Sequence, residues 1–465
     1  MRALGRDATW GERVSRVTVV GGGISGLATA YRLATAGVDV TVREAADRPG
    51  GKLGSTQVGD LLLETGADSF VARKPWAVDL CRELGLAEDL VTPGAKGAYL
   101  WTDRGLTSFP KDAPFGIPGD IGDVFRWPGL SRAGRRRAAQ DLLRGKRKDG
   151  VEETLGELLR RRLGDEATDV AVGPLLAGLY AGDIDRLSAR ATFPELLTWE
   201  STQGSLIRGS QAAMRSARRG RPAPMFVKPK GGVGRLTDAL AASLGDRVVT
   251  GAPVGSLAEL GESEEASAIV LAVPAFEAAR LIGPAAPGAV GELNAIPYAS
   301  TGVVFLIFGE GTQAALPDGT GFVVPRGKAP MTASTWISSK WPDPSFGTRA
   351  VIRCYVGGVG DEDVLDAADD ELVGACGRHL AAVLDLPDRP QAWSVVRWIR
   401  AMPQYEIGHL ERVRSIRRDL PAGMFVTGSA YDGVGIPDCV RAAGETAQQV
   451  LAHLDRTTIE KETAR

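Results

Sequence analysis

Residues 16–52 constrain this chain more than any other stretch. Arg16-Val-Thr-Val-Val20 is a short β-branched run, and Gly21-Gly22-Gly23-Ile24-Ser25-Gly26 follows without a gap. Leu27, Tyr31 and Leu33 continue with the alanines between them as a helix that Gly37 ends. Val38-Asp-Val-Thr-Val42 then alternates as a second strand, closing on Arg43 and Glu44. This order predicts a βαβ unit. Glycines at 21, 23 and 26 allow a tight turn, close approach of a pyrophosphate, and close helix–strand packing. The helix N-terminus adds free N–H groups and a positive dipole end. Composition tempers the motif. With 59 glycines in 465 residues, about one such spacing arises by chance. Its setting between strand and helix carries the argument, together with Glu44. A carboxylate there accepts hydrogen bonds from ribose hydroxyls and repels a 2′-phosphate, which disfavours NADP. The plain alternative is a βα turn beside a surface glutamate.

FAD and NAD share this fingerprint, and the following residues separate them. Glu44-x-x-x-Arg48-x-Gly50-Gly51-Lys52 is a basic, glycine-rich loop directly after the acidic residue. Arg48 and Lys52 can reach cofactor phosphates, and Gly51 with Gly50 lets backbone approach. Glu64-Thr-Gly66-Ala67-Asp68-Ser69 offers a further turn for the side of a flavin ring. Near the other end, Gly428 to Asp438 runs from a strand into a helix. Pro437 suits the first helical turn and Asp438 an N-terminal position. FAD is therefore the expected cofactor, although a capped helix without a ligand would read the same at 428–438.

The rest of the composition excludes more than it identifies. With 55 basic and 57 acidic residues and a net charge of -2, nothing marks a nucleic-acid-binding protein. Cys81, Cys354, Cys376 and Cys439 are far apart, and His379, His409 and His453 are the only histidines. No metal site is expected, and a reducing cytoplasm is the expected compartment. The uncharged stretch from Leu293 to Gly309 is too short and broken for a membrane span, and residues 1–15 carry no secretory signal.

Along the chain, 45–70 reads as loop-rich and 75–92 as a helix. Residues 98–101 and 106–109 read as strands, and 120–218 as mostly helical. Strands are expected near 248 and at 268–273, 300–309, 320–326, 332–337, 350–356, 393–400 and 424–428, and a last helix at 437–454. The expected fold class is α/β: a discontinuous Rossmann-like FAD-binding domain (14–88, 223–290 and 420–456), a second mixed-sheet substrate domain (89–109 and 291–419), a helical insert (110–222) and a polar tail (457–465).

These motifs together resemble the flavin-dependent amine oxidase superfamily and, within it, the bacterial protoporphyrinogen/coproporphyrinogen oxidases. The resemblance runs from about Val17 to Val450. Its segments are Gly66 to Lys74, Pro174-Leu-Leu-Ala-Gly-Leu-Tyr-Ala-Gly-Asp183, Phe226 to Gly232, Gly321 to Pro325, Thr335 to Trp341, Arg397-Trp398, Pro403-Gln-Tyr405, Gly408-His409 and Gly433 to Asp438. Two departures stand out. Ala67 replaces a frequent proline, and Gly97-Ala98-Tyr99 lacks the arginine that mitochondrial-type enzymes tend to carry there. The resemblance implies cofactor contacts at Gly21, Gly22, Gly23, Ile24, Ser25, Gly26, Glu44, Ala45, Lys52, Gly66, Ala67, Asp68, Ser69, Val254, Trp398, Ile436, Pro437 and Asp438. Val254 reads equally well as core, as does Trp398.

The resemblance further implies oxidation of coproporphyrinogen III to coproporphyrin III in heme biosynthesis, with O2 as acceptor and H2O2 as product. The flavin carries the chemistry, so no catalytic side chain is named. Arg73 and Lys74 are candidates for the substrate propionates, or else a solvated charge pair. Lys340 resembles the lysine that amine oxidases place near flavin N5, though a structural surface lysine is the stronger reading. The basic run from Arg132 to Lys148 would allow peripheral contact with the inner face of the membrane, against a solvated helix face that is slightly favoured. Ferrochelatase is a candidate downstream partner. Protoporphyrinogen IX is the alternative substrate. A flavin amine oxidase, a carotenoid-type desaturase and a non-catalytic porphyrin-handling flavoprotein remain as rivals.

Overall fold

Val17, Thr18 and Val19 are completely buried, which places their strand at the centre of a sheet covered on both faces. The computed structural model describes residues 16–463 apart from 112, 128, 148–149, 220–223 and 265. Its first sheet has five parallel strands in the order Val248–Val249, Asp39–Arg43, Arg16–Val20, Ala268–Leu271 and Met424–Val426. On one face lies the helix Ile24–Thr35, packed on the final helix Ile436–Thr463 through small residues such as Ala30, Ala443 and Ala447. On the other, Val20, Leu271 and Val426 meet Ala275, Ala289 and Ile416.

The second sheet is mixed. Its order is Ala392–Pro403, Tyr298–Ile307, Val351–Gly357, Ala333–Trp336, Gly321–Val323, Tyr99–Thr102 and Gly105–Ser108. All pairs are antiparallel except Gly321–Val323 with Tyr99–Thr102. Tyr298–Ile307 feeds apolar residues to both faces. Val304 and Leu306 point to one core, and Val303, Phe305 and Ile307 to another.

Several expectations need correction. Residues 45–70 are not simply loop. Ser55–Val58 and Leu61–Glu64 pair as a hairpin about Gly59-Asp60, with Gly59 at φ 58°. Val58, Leu61 and Leu63 bury themselves against the second sheet, which an alternating pattern with a two-residue turn favours. The expected helix at 75–92 stops at Glu83. Gly85 takes φ 74°, and a 3-10 turn and the strand Leu90–Val91 follow. The final helix runs past 454 to Thr463, so the polar tail continues it; residues 445–463 contain neither glycine nor proline.

The helical region between residues 121 and 219 has its own core around Trp127, Leu158, Leu159 and Leu196. At its centre Arg162 and Asp141 are fully buried, with Nε–Oδ1 at 2.5 Å. Asp141 also accepts from Ser205 Oγ and the Ile207 N–H. Arg137 of the basic run donates to the carbonyls of Arg160, Arg161 and Arg162, closing the end of the helix Leu155–Leu163. Arg135 donates to the carbonyls of Trp127 and Phe125. These two arginines are structural, whereas Arg132, Arg136 and Arg144 are exposed. Lys148 lies outside the described residues. No described helix is long and apolar enough to cross a membrane.

Removing one member of a buried ion pair leaves the other charged and dry, at a cost of about 3–5 kcal/mol. Arg162→Met should therefore lower stability by that amount in urea unfolding. A loss under about 1 kcal/mol would mean that the pair does not organise the helical region.

Candidate functional site

The glycines of the first turn do different jobs. Gly21 has φ 106°, and a Cβ there would lie 2.7 Å from the Ala272 carbonyl oxygen. A Cβ on Gly26 would lie 1.9 Å from the Gly21 carbonyl oxygen. Packing therefore dictates both. Gly23 is different. Its φ of -73° and ψ of 177° suit any residue, and a Cβ there meets no protein atom within 4 Å. Nothing in the protein requires glycine at 23, and the space before it is clear. The helix beginning at Ile24 has no side-chain cap and no acidic residue in its first turn. Its free N–H groups thus face a cradle that suits an anionic group. Gly51 backs onto this turn, since its Cβ would lie 3.3 Å from Gly23 Cα, and the Gly50 N–H donates to the Gly22 carbonyl.

Glu44 stands beside the turn. One carboxylate oxygen accepts from the Gly22 N–H at 2.6 Å and the other from the Ala46 N–H at 2.8 Å. Ala45 is exposed next to it. Val254 is buried nearby, and its carbonyl accepts from Arg280 at 3.2 Å. Arg48 turns back along its own loop. It donates to the Pro49 carbonyl, and a Cβ on Gly54 would strike its guanidinium. Lys52 Nζ donates to the Ala401 carbonyl, joining the glycine-rich loop to the second sheet.

The turn at Gly66 crosses that loop. A Cβ on Gly66 would lie 2.0 Å from the Lys52 carbonyl oxygen, so only glycine fits. Four side chains from the second sheet and its connections hold the segment 64–69, among them Trp341, whose Nε1 donates to Asp68 at 3.3 Å. Arg353 donates to the Gly66 carbonyl at 3.1 Å and to the Glu64 carbonyl. Trp398 Nε1 donates to the Thr65 carbonyl at 3.0 Å. Lys340 Nζ lies 2.9 Å from Asp68. Burial alone would push the Asp68 carboxyl up, but Lys340 and Arg353 override it and hold the group below the usual carboxylate range. Lys340 is thus neither a surface lysine nor a free ammonium; its side chain is 16% exposed. Ser69 Oγ also donates to Asp68, and Ala67 is exposed.

The start of the final helix closes the site. Ser25 contacts the thiol of Cys439, and Gly428 lies next to Ser25 with φ 129°. Tyr405 fixes the approach to Ile436 and Pro437. Its hydroxyl donates to the Ser429 carbonyl at 2.7 Å and accepts from the Gly433 N–H at 2.8 Å. His409 stacks on Tyr405 at 3.8 Å, and burial pushes its imidazole down to about 4. Asp438 pairs with Lys74 at 2.7 Å.

The structure therefore brings together Gly21 to Gly26, Glu44, Gly51, Lys52, Gly66, Trp398 and the helix start. It commits Lys74 to Asp438, which removes Lys74 as a free propionate ligand, whereas Arg73 is exposed. Sequence reasoning gave no role to Arg353, which had no motif around it, and none to Tyr405, although it lay in a quoted segment. Among the described residues no group of three His, Cys, Asp or Glu could hold a metal.

Gly23→Val tests the cradle. The valine side chain would enter space that the protein leaves empty, so the fold should lose no more than about 1 kcal/mol, the scale of a helix cap. Flavin per protein, read from absorbance near about 450 nm, should collapse. Full flavin content would remove the assignment.

Three comparisons bear on this geometry. Residues 24–451 match the family model described as flavin containing amine oxidoreductase. The chain is 32% identical to the coproporphyrinogen III oxidase of Bacillus subtilis, with 94% of this chain and 98% of the relative covered. It is 35% identical to the enzyme of that name from Mycobacterium tuberculosis, with 94% and 97% covered. A solved structure from Exiguobacterium, provisionally assigned as a protoporphyrinogen oxidase, superposes with a TM-score of 0.81 at 31% identity, with 95% and 99% covered.

Proposed function

Because the chain belongs to the flavin-containing amine oxidoreductases, and within them to the coproporphyrinogen III oxidase family, we propose that it oxidises coproporphyrinogen III to coproporphyrin III in heme biosynthesis. The observation that carries this reading is likeness over whole chains, 94% of this one and 98% of the Bacillus relative. The cradle at Gly23 supports it, because the residues present fit a dinucleotide cofactor. FAD supplies, when bound, a two-electron acceptor that O2 can reoxidise with release of H2O2.

The chain's own residues bind and orient. The N–H groups of the helix start at Gly23 to Gly26 would take the pyrophosphate, while Gly21 closes the turn by donating to the Arg43 carbonyl and the Gly22 N–H holds Glu44, which would take the ribose hydroxyls beside Ala45. Lys52, and Arg48 if it leaves the Pro49 carbonyl, would add positive charge near the phosphates, and Val254 would meet adenine through its backbone. Gly66, Ala67, Asp68, Ser69 and Trp398 would hold the flavin ring. Ile436, Pro437 and Asp438, at the start of the final helix, would offer its positive end to the flavin. No side-chain base is assigned. His379 packs against Trp101, His409 lies behind Tyr405 and His453 packs against Phe425, so all three are in structural contacts. Arg73 is the remaining candidate for a substrate propionate.

The protein would be cytoplasmic, with at most peripheral contact at the inner face of the membrane. Arg132, Arg136 and Arg144 are exposed, as is Leu143 at 87%, and exposed basic residues with an apolar one in the same run suit anionic lipid. Coproporphyrin III would pass to ferrochelatase.

Coproporphyrinogen III carries four propionates where protoporphyrinogen IX has two. A lost charge-assisted hydrogen bond costs about 1.5–3 kcal/mol. Purified enzyme should therefore favour coproporphyrinogen III in kcat/KM by roughly tenfold or more, read from porphyrin fluorescence. Preference for protoporphyrinogen IX would move the assignment to the alternative substrate.

A further inference from the structure

Behind the 64–69 segment lies a cluster of ionised groups that binding of the cofactor does not by itself explain. Glu64 pairs with Lys228 at 2.7 Å, and Asp68 pairs with Lys340 at 2.9 Å; the four side chains are 10–16% exposed. Arg353 is the fifth member and is 1% exposed. Its two terminal nitrogens reach the carbonyls of Gly66 and Glu64, and one also lies 3.4 Å from the Tyr355 hydroxyl. Its Nε is buried without an acceptor among the described residues. The Phe305 ring lies 5.2 Å from the guanidinium and the Tyr355 ring 5.9 Å.

Two carboxylates thus face three cations. The Glu64 carboxylate is also held by the Val233 N–H. Asp343 and Lys230 lie further out, both exposed, so solvent screens them. The buried cluster keeps one surplus positive charge. Isolated buried charges are expensive unless something offsets them. Here the guanidinium is spread over backbone carbonyls of one turn, and those carbonyls belong to the turn that the proposed function sets against the flavin ring.

We propose that Arg353 is a positioning residue of the reaction: it straps the turn at Gly66 to the second sheet and places surplus positive charge behind the flavin, which raises the reduction potential. A fixed charge in a water-poor site stabilises a nearby negative charge far more than the same charge in water. Flavin takes on negative charge when it accepts electrons, so the sign is favourable. Lys340 assists, because it neutralises Asp68 and leaves the Arg353 charge unspent. The inference rests on the proposed function, which alone puts flavin beside this turn.

The test measures flavin affinity and midpoint potential in parallel, on Arg353→Met and Arg353→Lys. Arg353→Met loses the strap and the charge. It should bind FAD more weakly, and its reduction equilibrium should shift about tenfold toward the oxidised form, about 30 mV for a two-electron couple. Arg353→Lys returns the charge but cannot span both carbonyls. It should recover the wild-type potential while FAD binding stays weak. A merely structural arginine would weaken binding without moving the potential. Loaded Arg353→Met with the wild-type potential, or Arg353→Lys with a potential as low as the methionine variant, would overturn the proposal. Should Arg353→Met fail to fold, Lys340→Met decides: its potential should fall, and an unchanged value would overturn the proposal. Wild-type protein that takes up no FAD would instead contradict the proposed function.

Discussion

Everything at this site hangs on one close approach, that of Gly26 to the Gly21 carbonyl. No side chain fits between them, so the helix Ile24–Thr35 starts directly against the end of the strand Arg16–Val20. That contact aims the free N–H groups of the helix at the clear space before Gly23. It also sets the helix against Ile436–Thr463, where Thr29 reaches the Ala443 carbonyl, and so fixes where the final helix begins. A bulkier residue at 26 would move both helices and dissolve the cradle.

The second constraint is electrostatic and joins the two sheets. Lys52 of the glycine-rich loop bonds the Ala401 carbonyl, while Arg353, Lys340 and Trp398 hold the segment 64–69. Ala401 lies beside a register shift at Ala299/Thr301, where Arg400 takes φ 47° and donates its N–H to Ser300 Oγ. A bulge is a way to re-aim a strand, and here the strand end it re-aims meets the cofactor loop. The glycine-rich loop and the segment 64–69 are therefore held by residues 272 to 349 positions away as well as by their own glycines.

That distance explains what the sequence made legible and what it hid. The turn at 21–26, Glu44 and the glycines at 50, 51 and 66 were readable as backbone features because each acts within a few residues of the element that places it. The mixed second sheet was readable from its β-branched runs, with ends off by a few residues. The hairpin about Gly59-Asp60 was hidden by its short strands, although a Gly-Asp turn between alternating apolar residues marks it. Arg353, Tyr405 and the Lys74–Asp438 pair were hidden for another reason: each acts on a partner far along the chain, and nothing local distinguishes it from an ordinary core or surface residue. Arg135 and Arg137 misled in the opposite sense. They sit in a basic run, yet their guanidinium groups bind backbone carbonyls within the fold.

This chain is a flavoprotein that strips hydrogens from coproporphyrinogen III. Anaerobic titration tests it most directly. Flavin-loaded protein mixed with limiting coproporphyrinogen III should bleach three flavin equivalents for each coproporphyrin III formed, because porphyrinogen and porphyrin differ by three two-electron steps. Admitting air should restore the yellow colour. Flavin that stays oxidised while the substrate remains colourless would contradict the account.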